Sequence, residues 1–224
     1  MHNVIESLPG CEPEIGRWLW ALEDTRRRTK RSLEGLTQAV IDWPHPLAPS
    51  PEVYSSTSGE GESDSPLLTT AVSSSGEGSG VRPGNSIGTL LYHLAVIEID
   101  WLHADVLQKP WPPELETLFP FDVRDEQAHL NAVRGLSLDT HPRRDGAVRS
   151  ILLDAFRGMS LNEFRRARRT QGYDVTPEWV IHHLMQHEAE HRGQIGEIRI
   201  RAERTLDDED SWTRINTDEH RLNP

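Results

Sequence analysis

Residues 177–204 carry the longest unbroken helical pattern in the sequence, "PEWVIHHLMQHEAEHRGQIGEIRIRAER". Thr176 precedes this segment as an N-cap, and Pro177 has the fixed φ angle that suits the first helical position. Glu178 follows in the first turn, where a negative charge is favourable against the positive end of the helix dipole. The sequence therefore predicts one long helix from Pro177 to about Arg204, and such a helix needs other helices along its apolar face.

Apolar residues recur at steps of three and four in three further segments, which are residues 13–43, 85–107 and 142–159. The prolines of "WPHPLAPSP" end the first segment, and Asn85 or Ser86 caps the second. Residues 110–137 are rich in proline at their start and predict an irregular crossover with a short hairpin or helical turn. Four long helices joined by long crossovers indicate an all-α four-helix bundle.

Residues 48–84 have a different composition, dominated by Ser, Gly, Pro and Glu. Such a segment buries too little apolar area to offset its ordering entropy, so we expect a surface insertion that is mobile at least in part. Its stretch "SPLLTTAV" is equally compatible with folding onto the body of the protein. The predicted organisation is one domain over residues 1–204 with this insertion, followed by an acidic tail over residues 205–224.

The composition excludes several classes of function. The 224 residues include 24 basic and 36 acidic side chains, and the net charge of −12 argues against a nucleic-acid partner. Cys11 is the single cysteine, so no internal disulfide can form and a reducing compartment fits best. Neither a signal-peptide pattern nor an apolar stretch of membrane-spanning length is present. We expect a soluble cytoplasmic protein without a membrane partner.

Histidines follow the buried face of the last predicted helix. Residues four apart lie on one face, so His183, His187 and His191 form a column that also contains bundle-facing residues, namely Leu184, Gln194, Ile195 and Ile198. A single inward histidine is usually a hydrogen-bonded core residue. Several in one buried column favour a metal site, because unpaired buried imidazoles are costly. A zinc site also needs a third protein ligand, and His93 at the edge of the buried stripe of the second helix is the candidate. The alternative for His93 is a boundary residue that contacts a loop.

The remaining histidines have no such pattern. We expect His103 near the end of its helix to be exposed. Surface positions are also expected for the histidines in termini and loops, which are His2, His45, His129, His141 and His220.

"HEAEH" at residues 187–191 matches the H-E-x-x-H signature of metalloproteases. The extended form of that signature would need glycine in place of Gln194 and histidine in place of Glu197, and no strand is predicted that could hold a peptide. Helix geometry turns Glu188 by about 100° from His187, which argues against a role as catalytic base. Glu190 is either a support for the metal ligands or a solvated carboxylate. The spacing therefore indicates a metal site without proteolysis.

Two stretches, "NSIGTLLYHLAVIEIDWL" and "TPEWVIHHLMQHEAEHRGQIGEIR", resemble the DinB-like (DinB/YfiT) superfamily of metal-binding four-helix bundles. The resemblance places the metal ligands of the family on His93, His187 and His191. It implies a homodimer that binds zinc, nickel or a related divalent ion, with water completing the coordination shell. Characterised branches of the family include S-transferases that use bacillithiol, mycothiol or glutathione and an isomerase that uses mycothiol, while many members have no known activity.

Three functions are compatible with an open three-histidine site. The first is a metalloenzyme that activates a low-molecular-weight thiol for S-transfer to a small-molecule substrate; because no motif surrounds Cys11, that thiol would come from a bound cofactor. The second is a metal-dependent hydrolase, and the third is a non-catalytic metal- or ligand-binding stress protein. A transferase also needs groups that grip the carboxylates of the thiol. Arg26 and Arg27 are the candidates, and solvated helix-face charges are the alternative reading of both.

Overall fold

A computed structural model of the protein describes residues 4–45, 84–126, 129–170 and 172–222, with side chains described as far as residue 209. Apart from Gly84, the predicted insertion at residues 48–84 lies outside the described residues. Its mobility and the placement of "SPLLTTAV" therefore stay predictions.

The regular secondary structure of the described residues is helical apart from one very short hairpin. The helices are α1 (Pro13–Ser32), α2 (Gln38–Asp42), α3 (Ile87–Asp100), α4 (Pro113–Glu116), α5 (Thr140–Arg157), α6 (Leu161–Arg165) and α7 (Pro177–Leu222). A π-helical segment, Trp101–Leu107, continues α3, and strands β1 (Arg168–Arg169) and β2 (Asp174–Val175) pair in antiparallel orientation. The long helices α1, α3, α5 and α7 form the bundle, which confirms the predicted all-α class.

The first predicted helix is broken, contrary to the prediction of one helix over residues 13–43. Gly35 adopts a left-handed conformation with φ of 76°, which ends the helical path after α1. The Thr37 side chain then accepts a hydrogen bond from the backbone N–H of Val40 and starts α2 as a separate helix. The apolar stripe continues across the break, because Leu36 and Val40 remain buried.

The observed ends of the other long helices agree with the predicted ends to different degrees. Ser86 caps α3 as predicted, since its side chain accepts from the N–H of Thr89. Helix α5 begins at Thr140, slightly before the predicted start. Helix α7 does not end near Arg204 but continues to Leu222. Residues 205–222 contain neither glycine nor proline, so no helix-terminating residue interrupts the chain there.

Helix α3 is the central element of the bundle. Every residue of its 14-residue span is buried, and it packs against both α5 and α7, while α1 packs along α7. The main apolar core joins these four helices; among its members are Leu19, Leu22, Ile97, Ile99, Val148, Leu152, Phe156, Val180, Ile181 and Leu184. Among the described residues, no helix is both long and apolar enough to cross a membrane.

Each long helix also contributes charge to the interior, in a group that we call the buried charge cluster: Arg26, Glu98, Asp145, Arg149 and Glu188. Arg26 donates to Glu98 (2.7 Å) and to Glu188 (2.8 Å). Arg149 donates to the same two carboxylates, at 2.7 Å and 3.2 Å. Burial alone would raise the pKa of Glu98, but Arg149 and Arg26 outweigh burial and lower it. Burial raises the pKa of Asp145 to about 6, with Arg26 opposing the rise.

Removing one arginine from this cluster should strongly destabilise the fold. Arg149→Met leaves Glu98 and Glu188 with one guanidinium between them, and breaking a buried pair in this way costs ~3–5 kcal/mol of unfolding free energy. Urea denaturation followed by circular dichroism measures the loss. The matched control is Arg27→Met, because Arg27 is half-exposed and its ion pair with Asp24 lies on the surface, so the substitution should cost less than about 1 kcal/mol. Equal losses in the two variants would contradict a structural role for the cluster.

His45 and Gly84, which flank residues 46–83 in the sequence, lie side by side. The N–H of Gly84 donates to the carbonyl of His45 (2.7 Å), and the N–H of His45 donates to the carbonyl of Asn85 (3.3 Å). The chain therefore leaves the bundle after His45 and re-enters it at Gly84, at almost the same place.

Deleting residues 50–80 should leave the thermal unfolding midpoint nearly unchanged. The deletion keeps enough chain to join His45 to Gly84, and the cost of closing a loop depends only weakly on its length. Differential scanning calorimetry of the two proteins tests this expectation. Loss of cooperative unfolding in the deletion variant would show that the segment belongs to the core.

Candidate metal centre

Three histidine side chains from two helices converge on one point. His93 comes from α3, and His187 and His191 lie one turn apart on α7. The Nε2 atom of His187 is 3.2 Å from that of His93 and 3.0 Å from that of His191. One ligand nitrogen from each of the three residues lies within 4.8 Å of the others. In a tetrahedral zinc site with Zn–N bonds of about 2.0–2.1 Å, ligand nitrogens are about 3.3–3.4 Å apart, so the spacing fits a bound divalent ion.

The chemistry of the donor set also fits a cation. The Nε2 atom of His187 is within hydrogen-bonding distance of two other imidazole nitrogens. A ring nitrogen has either one N–H or one lone pair, so it can satisfy only one such bond at a time. A metal ion accepts all three lone pairs together. This is the observation that distinguishes the group from a hydrogen-bonded set of core histidines.

Two of these histidines, His93 and His187, are held in the neutral form that binds metals. Burial lowers the pKa of His93 to about 3, and the nearby His191 contributes to the shift. Burial likewise lowers the pKa of His187 to about 2, with His191 and His93 adding to the effect. At neutral pH these two rings therefore offer their lone pairs without competition from protons.

Gln194 orients one of the three rings, a role that sequence analysis missed. The Nδ1 atom of His191 lies 2.9 Å from Oε1 of Gln194. A proton on Nδ1 donates to this oxygen, which leaves the lone pair on Nε2 directed at the other two histidines. Gln194 was placed among the bundle-facing residues, but it is exposed. Its three-residue spacing from His191 was the available signal.

His183 lies outside the ligand group. Its ring stacks on Trp179 (centroids 5.0 Å apart, planes at 6°) and on His187 (5.9 Å, 27°). It also contacts the ring of Trp101, with 4.7 Å between the two ring centroids. His191, His187 and His183 therefore continue along α7 into Trp179, and the ring of His183 lies between Trp179 and the candidate metal centre.

Two of the histidines predicted on the surface are buried. His103 is 6% exposed, because the π-helical segment continues to pack against α7 where the helix was expected to leave the core. His141 is 1% exposed, because α5 begins before it and presses it against Gly88, where an added Cβ would lie 3.3 Å from its Nε2 atom. His129 is exposed as predicted and His45 is partly buried. His2 and the side chain of His220 lie outside the described residues.

The other residues considered for the site lie either in the buried charge cluster or on the surface. Glu188 is 2% exposed and belongs to the buried charge cluster, in agreement with the argument against a catalytic base. Glu190 is exposed, as in its reading as a solvated carboxylate. Arg26 is not solvated, and it does not serve to bind a ligand, because its guanidinium forms ion pairs with Glu98 and Glu188. Arg27 pairs with Asp24 on the surface.

Arg124 lies near enough to the centre to act electrostatically on two of its histidines. Its backbone pairs with Leu130 in an isolated bridge, and the neighbouring Val123 is buried against Tyr92, the residue before His93. The positive charge of Arg124 contributes to lowering the pKa of both His93 and His187, after the effect of burial. The sequence predicts an irregular crossover around this residue, and no periodic pattern there indicates its position.

The fold and this cluster define a helical-bundle protein with a candidate three-histidine metal centre between two of its long helices. The chain belongs to the DinB superfamily, whose sequence model matches residues 21–195. That range includes all three histidines of the cluster.

One similar solved structure is a crystal structure of a conserved protein of a locus from Enterococcus faecalis. It aligns with a TM-score of 0.52 and 13% sequence identity, over 81% of this chain and 92% of the other chain. At this identity the likeness supports the fold alone. No curated protein matches the sequence.

The metal content of histidine variants tests the site. His191→Ala should abolish stoichiometric binding of a divalent ion, because two ligands remain where three are needed. His183→Ala is the matched control on the same helix and should retain one ion per chain. Elemental analysis of dialysed protein gives both values. One ion per chain in His93→Ala would contradict the assignment of the third ligand.

Proposed function

We propose that the protein is a divalent-metal-dependent S-transferase, which joins a low-molecular-weight thiol to an electrophilic small molecule. The observation that supports this proposal is the convergence of three imidazole nitrogens at a point that is buried on the side of His93 and partly exposed on the side of His187 and His191. Three protein ligands leave a coordination position for a substrate, as in catalytic zinc sites. Imidazole ligands suit zinc and nickel, which are the two ions proposed here.

A divalent ion in this centre would lower the pKa of a thiol that reaches it, and so supply a nucleophile at neutral pH. In the overall reaction the thiol loses its proton to solvent and the sulfur forms a bond to the electrophilic carbon. The leaving group departs with the electron pair of the bond that breaks. Bacillithiol, mycothiol and glutathione are the candidate thiols.

The thiol has to come from a cofactor, because the protein's own thiol is unsuited to the task. Burial raises the pKa of Cys11, with Arg157 opposing the rise, so Cys11 is less nucleophilic than an ordinary cysteine. Cys11 also contacts the apolar core at the start of α1 rather than the histidine cluster.

The residues around the centre have separate roles in this proposal. His93, His187 and His191 hold the ion, and Gln194 keeps the ring of His191 in the binding tautomer. The positive charge of Arg124, which acts on His93 and His187, would attract the carboxylate groups of bacillithiol or glutathione towards the centre. It replaces Arg26 and Arg27 in the role that the sequence suggested for them.

The proposal also covers the setting of the reaction. Low-molecular-weight thiols are kept reduced in the cytoplasm, where we place the protein. Its partners are the thiol and a small-molecule electrophile, without nucleic acid or membrane, and it acts as a homodimer as the family resemblance implies. Size-exclusion chromatography with light scattering measures the number of chains.

Metal-loaded protein should conjugate at least one of the three thiols to a chlorinated nitroarene, and His187→Ala should abolish this activity. The physical reason is that the variant loses a ligand of the ion. Absorbance of the thioether product measures the rate, and His183→Ala controls for nonspecific effects of substitution on α7. Tight metal binding without conjugation of any thiol would contradict the proposal and favour a binding protein, and metal-dependent ester hydrolysis alone would favour a hydrolase.

Arg124→Ala should raise the KM for bacillithiol or glutathione by about tenfold or more with little change in kcat, because a charge-assisted contact to a carboxylate of the thiol is lost. Initial rates at varied thiol concentration separate the two parameters, and metal content should stay at the wild-type level. Arg27→Ala is the matched control, since it removes the same charge from the far surface of α1. An unchanged KM in Arg124→Ala would exclude this residue from thiol binding.

A further inference from the structure

A cavity of about 540 Å³ lies beside the start of α7, on the opposite side of His183 from the candidate metal centre. We call it the aromatic pocket, after the three rings that line it: Trp101, Tyr173 and Trp179. Its volume is within the range of small-molecule binding sites, which are mostly apolar and contain few polar groups. No residue of this cavity is needed to hold the metal ion.

The walls of the aromatic pocket are fixed by contacts behind them. Trp101 is 3% exposed and forms the floor, in contact with Trp179 (5.4 Å between centroids) and with Tyr173 (6.2 Å). The hydroxyl of Tyr173 donates to Asp105 at 2.7 Å, and this bond holds the ring in place. Val175 from the hairpin is buried beside them. A pocket that is formed before binding loses little entropy when a ligand enters.

Trp179 is the ring available to a ligand. It is 47% exposed although it lines a cavity, which is a large exposure for an indole. One of its faces is covered by the parallel ring of His183, which in turn stacks on His187. A flat ring placed on the other face would extend this stack by one member and cover the exposed indole surface.

The same geometry disfavours a cation as the ligand. A cation binds best where several aromatic faces point at one position, but the face of Trp101 is closed by its neighbours. Asp174, a carboxylate among the described lining residues, lies opposite Arg169 in the two-stranded ladder, so the hairpin brings charges of both signs to this side. The described lining is therefore mostly apolar, and the charge of its carboxylate is opposed by that of Arg169 across the ladder.

We propose that the aromatic pocket binds a flat, uncharged aromatic ring, and that this ring anchors a substrate whose electrophilic carbon reaches the three-histidine centre. The second part rests on the function proposed above, and the first part does not. Because the His183 ring separates the pocket from His187, the anchored ring is not itself the reacting group. The substrate class is thus an elongated molecule, with an aromatic ring at one end and an electrophilic carbon at the other.

Binding of a simple probe to metal-free protein tests the first part independently of any activity. Isothermal titration calorimetry of the full chain with 2-naphthol should show saturable binding. Trp179→Ala should weaken this binding by about tenfold or more, because it removes the stacking face and its apolar area. Trp179→Phe should retain most of the affinity. Trp20→Ala is the matched control, since Trp20 lies on α1 beneath Arg27 and should leave binding unchanged.

Two further probes define the ligand class. Cyclohexanol, which is similarly apolar but not flat, and choline, which is cationic, should both bind more weakly than 2-naphthol. Choline binding tighter than 2-naphthol would overturn the proposal, and so would unchanged 2-naphthol affinity in Trp179→Ala or the absence of saturable binding.

The anchoring role is tested with metal-loaded protein, a thiol and two electrophiles that have the same reacting group. One is a naphthylalkyl iodide and the other a simple alkyl iodide. Trp179→Ala should raise the KM for the naphthyl compound by about tenfold and leave that for the alkyl compound unchanged. Equal KM changes for both would overturn the anchoring role. If the wild-type protein transfers the thiol to neither compound, the proposed function is contradicted. The calorimetric result would still decide whether the pocket binds aromatic rings.

Discussion

The buried charge cluster is the interaction on which the rest of the structure depends. Arg26, Glu98, Arg149 and Glu188 come from four different helices, and each arginine bridges the same two carboxylates. Desolvating these charges is costly, so the cluster stabilises the fold only when all members are present and correctly placed. Apolar side chains tolerate sliding of one helix along another, whereas bidentate guanidinium–carboxylate contacts do not. The cluster therefore sets the register of the bundle.

That register determines whether the histidines meet. Glu188 follows His187 directly, and helix geometry points the two side chains in directions about 100° apart. Glu188 docks α7 onto the arginines of α1 and α5 while His187 faces His93 on α3. The sequence "HEAEH" thus combines a helix-docking carboxylate with two candidate metal ligands. Metal binding should be strongest in the fully docked bundle, because His93 and His187 are brought together only by tertiary packing.

Much of this arrangement was predictable from periodicity, and the failures have identifiable causes. Stripes at steps of three and four predicted the four long helices, and the four-residue spacing of His187 and His191 predicted two of the three histidines that meet in the candidate centre. Periodicity did not show that Gly35 breaks a continuous stripe, because the stripe resumes in α2. It also did not show that Arg26, on an inward stripe, is buried by partners on three other helices. Arg124 acts on the centre from an irregular segment, whose path depends on tertiary contacts alone.

The adjacency of His45 and Gly84 has a consequence for the evolution of the family. The backbone hydrogen bond between these residues closes the bundle independently of the chain that runs from one to the other. An insertion or deletion in that stretch should therefore not shift α3, which begins just beyond Gly84 and carries His93. Selection can alter the length and composition of the stretch in one lineage without compensating changes elsewhere. Homologues aligned on their histidines should accordingly vary more in length here than between α3 and α7.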